Sequence, residues 1–206
     1  MKTLKQYIDE GFRINKDTKI DKYNYHPKST DELIELIKKL LDERGKDADL
    51  NDIDVSGITD MSNLFNGLDI HNINISDWDV SNVTDMDGLF WNCKNFNTDL
   101  SSWNVSNVKE MQYMFHSCKK FNSDLSKWDV SKATDMSRMF SGCENFNSNL
   151  SNWDVSNVAS MYKMFENCKK FNSDLSKWDV TNIIDMYKMF NGCNSLKNIP
   201  DWYNDL

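Results

Sequence analysis

Only two prolines and seven glycines punctuate the 206 residues, too few for a long flexible linker. No run of 18 apolar residues exists, so no membrane-spanning helix is expected. The opening stretch MKTLKQYIDEGFRINK has no apolar core segment, which predicts a chain without a secretory signal, cytoplasmic and with reduced thiols. Histidine is scarce. His26, His71 and His116 fall in unrelated contexts, and His71 takes a place that phenylalanine holds elsewhere. No GxSxG, HExxH, P-loop or glycine-rich phosphate cradle is present. The five cysteines never form a CxxC pair, the spacing that brings zinc ligands within reach of one ion. The expectation is no catalytic residue, no resident metal and no cofactor.

Positive charge is short in one part of the chain. Residues 1–50 carry 11 Lys+Arg against 11 Asp+Glu, whereas residues 51–206 carry 13 against 21. The whole net charge of -8 therefore lies in the second segment. Such a surface repels phosphate backbones, so direct nucleic-acid binding is not expected there. Hydrophobic residues at 39% and aromatics at 12% are ample for a packed core.

A strict 25-residue period is present instead. Trp78, Trp103, Trp128, Trp153 and Trp178 keep that step, as do Cys93, Cys118, Cys143, Cys168 and Cys193. Met86 to Met186 and Phe90 to Phe190 keep it too. The thirteen letters CKKFNSDLSKWDV stand at both 118–130 and 168–180, the mark of a duplicated two-coil block. Six copies fit, at 53–77, 78–102, 103–127, 128–152, 153–177 and 178–202, and a period of this size signals stacked repeats.

Within one copy, Met136, Met139, Phe140 and Cys143 have the i, i+3, i+4, i+7 spacing of a short helix. Thr134 suits its N-cap, Asp135 its first turn and Gly142 its end. The following FNSNLS reads as one short parallel strand, and WDVSN as a turn. The fold class expected is an α/β solenoid, leucine-rich-repeat-like, with one short helix and one short strand in each of six coils. Residues 1–52 carry no copy. STDELIELIKKLLDERG predicts a helix with Ser29 and Glu32 as a capping box and Gly45 as its stop, capping the open end of the stack. Lys22–His26 reads as a short strand, and Pro200 and Asp201 end the last coil.

The string MFxxCxxFNxDLSxWDVSNVTDM resembles the 25-residue repeat of the BspA-like leucine-rich-repeat proteins, a bacterial family with lipoprotein-type repeats abundant in mycoplasmas. The resemblance covers residues 53 to about 202. It implies a solenoid and, for many members, adhesion or interaction at the cell surface.

Two columns are expected to build the scaffold. The cysteines behave as small buried hydrophobes. Asn97, Asn122, Asn147 and Asn172, with Asn72 before them, are expected to bond the neighbouring coil's backbone. The acidic column Asp99, Asp124 and Asp174 lacks the density of a calcium loop and reads as turn capping. Function is expected where letters depart from the consensus. Trp91, His116 and Glu166 share one column, Tyr162 and Tyr187 another, with Tyr113 alongside. These six are the candidate partner-binding residues, since Trp and Tyr are enriched at interaction hot spots. The reading is a monomeric, non-enzymatic module that binds another protein. Two alternatives stand beside it: an acidic intracellular inhibitor seated in a basic groove of a nucleic-acid-handling partner, and a cell-surface adhesin by family resemblance.

Overall fold

The computed structural model describes residues 21–203. The first twenty residues of the expected 1–52 cap lie outside that range. The helix expected after Ser29 is present as α1, Thr30–Arg44. Ser29 accepts a hydrogen bond from the Glu32 N–H, and Glu32 reaches back to the Lys28 N–H at 2.7 Å. Gly45, at φ 82°, closes the helix by donating to the Leu41 carbonyl. Leu33, Ile37 and Leu40 are fully buried in the same apolar core as the coils. Lys22–His26 forms no strand; Tyr25 makes one parallel bridge to Ile53.

The 25-residue coils stack, but the helix and strand expected within each are not formed. Among the described residues α1 is the one α-helix, beside a single 3-10 turn at Asp201–Tyr203, and bridges between coils are isolated. The α/β leucine-rich-repeat-like fold class is therefore corrected. The reason lies in the backbone of the Met–Phe segment. Residues at two positions per coil have left-handed φ: Gly88 and Asn92, Tyr113 and Ser117, Arg138 and Gly142, Lys163 and Asn167. An α-helix cannot pass through such residues. The segment folds instead as overlapping turns, in which Met114, His116 and Cys118 donate to the residue three before. The N–H groups between them, on Met111, Tyr113, Phe115 and Ser117, donate to Asp135, Ser137, Met139 and Ser141 of the next coil at 2.7–3.1 Å. The i, i+3, i+4, i+7 apolar spacing survives, because it also puts Met, Phe and Cys on the inner side of these turns.

The helix cap and the strand are replaced in kind. Thr134 donates to the Lys109 carbonyl, and Asp135 accepts from the Ser137 N–H within its own turn. Along FNSNLS the coils are joined through side chains. Asn122 accepts from the Asn147 N–H and Asn147 from the Asn172 N–H, each at 2.8 Å. Asn97 serves Asn122 and Asn172 serves Lys197 in the same way. The Ser148 hydroxyl accepts from the Leu125 N–H.

Two further columns tie coil to coil inside the core. Each repeat tryptophan donates its indole N–H to a carbonyl 28 residues back, as Trp128 does to Leu100 at 3.0 Å. Each cysteine thiol does the same, from Cys93 to Phe65 and on to Cys193 to Phe165, at 2.9–3.0 Å. The phenylalanine rings of the Phe65–Phe190 column lie nearly parallel at 5.2–5.9 Å, and Phe115 packs on Phe121 within its coil at 4.1 Å. These contacts begin before residue 53: His71 donates to Lys46 and Trp78 to Leu50, so residues 46–52 already belong to the stack. All five thiols are buried and unpaired by disulfides. Burial pushes Cys93 and Cys193 up to about 12, and the three between them well above the ordinary thiol range.

Two measurements check this fold. Gly142→Ala places a side chain at φ 78°, with Ser117 Cα 3.4 Å from the new carbon. It is expected to lower unfolding free energy by about 1–2 kcal/mol, the usual cost of left-handed backbone; in a helix the same change would stabilise by about 1 kcal/mol. Thiol titration of native protein should label slowly, with Cys193 first because it is the least buried at 9% exposure. Rapid native labelling of most thiols would contradict the packing.

Candidate functional site

The overlapping turns that turn Met, Phe and Cys inward leave three further positions per coil outside the apolar core, most of them part-exposed, though Gly88 and Ser141 are buried. They are the columns of Asp87, Gly88 and Trp91. Copies of these positions in later coils hold Gln112, Tyr113 and His116, then Ser137, Arg138 and Ser141, then Tyr162, Lys163 and Glu166, then Tyr187, Lys188 and Asn191. The core does not specify them, and this is where the repeat letters diverge.

The structure brings the six expected residues, which stand in four coils, into one strip that runs across five. Trp91 stacks on Tyr113 with centroids 5.1 Å apart. His116 stands edge-on to both, at 6.0 and 5.8 Å. The Arg138 guanidinium lies 5.7 Å from the Tyr113 ring and 5.3 Å from the Tyr162 ring, joining the two halves. Tyr162 stacks on Tyr187 at 6.1 Å. Lys163 and Lys188 lie over Tyr162 and Tyr187, at 5.5 and 5.1 Å. Glu166 pairs with Lys163 at 3.1 Å. Most of the strip is half-buried by its own stacking; Trp91 is 37% and Tyr187 60% exposed.

Sequence reasoning missed Arg138, the joint of the strip. A signal existed: it is the sole arginine after Arg44. Stacked between two tyrosines, a guanidinium gains both cation–π attraction and ring contact. The strip also holds three buried side-chain atoms without a hydrogen-bond partner among the described residues: Gln112 Oε1, His116 Nδ1 and Arg138 Nε. Burial, with Arg138 adding to it, lowers the His116 pKa below the ordinary imidazole range; Glu166 opposes this weakly. A run of acids borders the strip at the bridging column: Asp60, Asp85, Glu110, Asp135 and Asp185. Burial raises the Asp87 pKa, and those neighbouring carboxylates add to the shift.

The other columns are occupied with their own coils. Asp99 accepts from the Ser101 N–H and the Ser123 hydroxyl, and Asp124 from the Ser126 N–H and the Ser148 hydroxyl. Asp174 accepts from the Ser176 N–H. These bonds hold all three carboxyls below the usual range. Among the described residues no group of three or more His, Cys, Asp or Glu is placed to hold a metal ion. The shallow grooves beside the column are polar and lined by these same bonded side chains.

No curated protein and no solved structure matches the chain. The model of one family, described as a Mycoplasma protein of unknown function, matches residues 35–145 and 123–205. This agrees with the mycoplasma-type repeat seen in the sequence and does not extend to the BspA-like leucine-rich-repeat assignment. The two overlapping matches run from within α1 through the last coil, so the chain belongs to the DUF285 family of Mycoplasma repeat proteins of unknown function.

Proposed function

We propose that the chain is a non-enzymatic protein-binding module whose contact face is the strip from Trp91 to Tyr187. The observation that carries this reading is the clustering of Trp91, Tyr113, Arg138, Tyr162 and Tyr187 at positions the core leaves free. Trp, Tyr and Arg are the residues that most often dominate interface energy. Stacked aromatics also lose little conformational freedom on binding, because their neighbours already hold them. The strip is aromatic and cationic at its centre, with carboxylates along one border. A partner surface offering apolar or aromatic side chains to Trp91 and Tyr187, with basic groups toward the Asp85–Asp135 border, fits it.

Trp91→Ala with Tyr162→Ala is the test, read against a partner captured by the wild-type protein. Both side chains are surface groups, so the stability loss should stay near the about 0.5–1.5 kcal/mol of one aromatic pair each. Affinity should fall by about 2 kcal/mol or more if the two are hot spots. Unchanged binding by the folded double variant would remove the strip as the contact face.

His116 reports on the strip's own geometry. Its folded pKa is lowered, so stability tied to it is present above the ordinary imidazole value and is lost as pH falls through the lowered one. An NMR titration should place His116 below a free imidazole, and Arg138→Gln should move it up. A midpoint unmoved by that change would contradict the contact between the two side chains.

A further inference from the structure

The ladder between coils is one-sided, unlike a β-sheet. In each coil four alternate N–H groups point toward the next coil, and four alternate carbonyls point toward the previous one. The peptide unit that accepts is the one that donates onward. Met61 N–H bonds the Asp85 carbonyl, Met86 N–H the Glu110 carbonyl, Met111 N–H the Asp135 carbonyl, Met136 N–H the Ser160 carbonyl, and Met161 N–H the Asp185 carbonyl. Three more such chains run beside it, ending at the carbonyls of Tyr187, Met189 and Asn191. All peptide dipoles in them point one way, as along a helix axis. The positive end emerges from the last coil at the N–H groups of Met186, Lys188, Phe190 and Gly192. None of these four has a hydrogen-bond partner among the described residues.

The two ends are treated differently. At the first coil the Asp60 carbonyl accepts from the Thr30 hydroxyl of α1, and Leu33, Ile37 and Leu40 of that helix are fully buried. At the last coil Ile184 is 88% exposed, and a cavity of about 300 Å³ opens between Ile183–Lys188 and Tyr203. Tyr203 meets Phe190 edge-on at 5.0 Å, where every internal coil seats a parallel ring.

We propose that this edge binds a segment of another protein that takes the turn conformation of a coil and presents backbone carbonyls at four alternate residues, as one further coil of this repeat does. Five junctions inside the chain show the fit, each joining this same donor row to Asp, Gln, Met or similar residues through carbonyls alone. Polarity selects the occupant. Two copies cannot meet edge to edge, since donors would face donors. At the other end α1 covers the apolar layer and Thr30 takes the Asp60 carbonyl, so the first coil of a second copy is the competing occupant, which sedimentation of the free chain distinguishes. The mode is backbone augmentation, in which main-chain bonds give affinity and side-chain seats give specificity. It uses main-chain donors and none of the strip's ring contacts, although Tyr187 and Lys188 belong to both surfaces.

The test uses the full chain, ¹⁵N-labelled, with a synthetic peptide of residues 153–177, one whole coil, as the probe. The amides of Met186, Lys188, Phe190 and Gly192 should shift together and gain about tenfold or more in exchange protection. A scrambled peptide should leave them unchanged. Tyr203→Ala, which clears the ring seat over Phe190, should tighten binding. Four amides already protected in the free chain, a free chain that sediments as a concentration-dependent oligomer, or a coil peptide that leaves all four unmoved would each overturn the proposal.

Discussion

The structure depends on the hydrogen bond from every second backbone N–H of the Met–Phe segment to the carbonyl one coil ahead. Those bonds number four per junction, at 2.7–3.1 Å. They accompany the two left-handed residues of each coil, four positions apart, at which the chain turns its donors toward the next coil. They dictate the apolar columns, since turns of this shape hold Met, Phe and Cys inward. They also fix the spacing between coils that lets the phenylalanine rings stack. Left-handed backbone costs about 1–2 kcal/mol for each residue that is not glycine. The repeat accepts this at Tyr113, Ser117, Arg138, Lys163 and others because each junction returns four backbone bonds and a shared apolar layer.

The period, the core columns and α1 were legible in the sequence, because each rests on side-chain identity at fixed spacing. Ser29, Glu32 and Gly45 mark the helix ends by local chemistry that needs no neighbour. The backbone path inside a coil was not legible. Met136, Met139, Phe140 and Cys143 face one way both in a helix and in overlapping turns, so spacing alone cannot tell the two apart. The signs against a helix were faint: Gly88, Gly142 and Gly192 stand at left-handed positions, but Tyr113, Arg138 and Lys163 stand at equivalent ones. Tertiary pairing overrode local preference there. The strand reading of FNSNLS failed for a related reason: Asn122, Asn147 and Ser148 side chains take the bonds that a strand would give its backbone. The strip was partly legible, since aromatics at positions open to any letter stand out, but its cationic joint at Arg138 depended on how the coils stack.

On the proposed function, this scaffold separates building from recognition. The inward columns are nearly fixed and serve only the stack. The columns of Asp87, Gly88 and Trp91 lie outside the apolar core, so the stacked rings and cations of the strip differ from coil to coil while the core stays the same. The aligned peptide chains add a second kind of surface at the end of the stack, defined by main-chain donors. The two proposals give side-chain contacts to the first surface and main-chain contacts to the second. α1 closes the opposite end.

The central claim is that backbone N–H groups bond across coils and not along a helix. Through-hydrogen-bond NMR couplings between amide nitrogens and carbonyl carbons observe this directly. The account predicts a coupling from the Phe115 N–H to the Met139 carbonyl, and from Phe140 to Met164. Couplings from Phe115 to Met111 and from Phe140 to Met136, the partners four residues back in a helix, would contradict it.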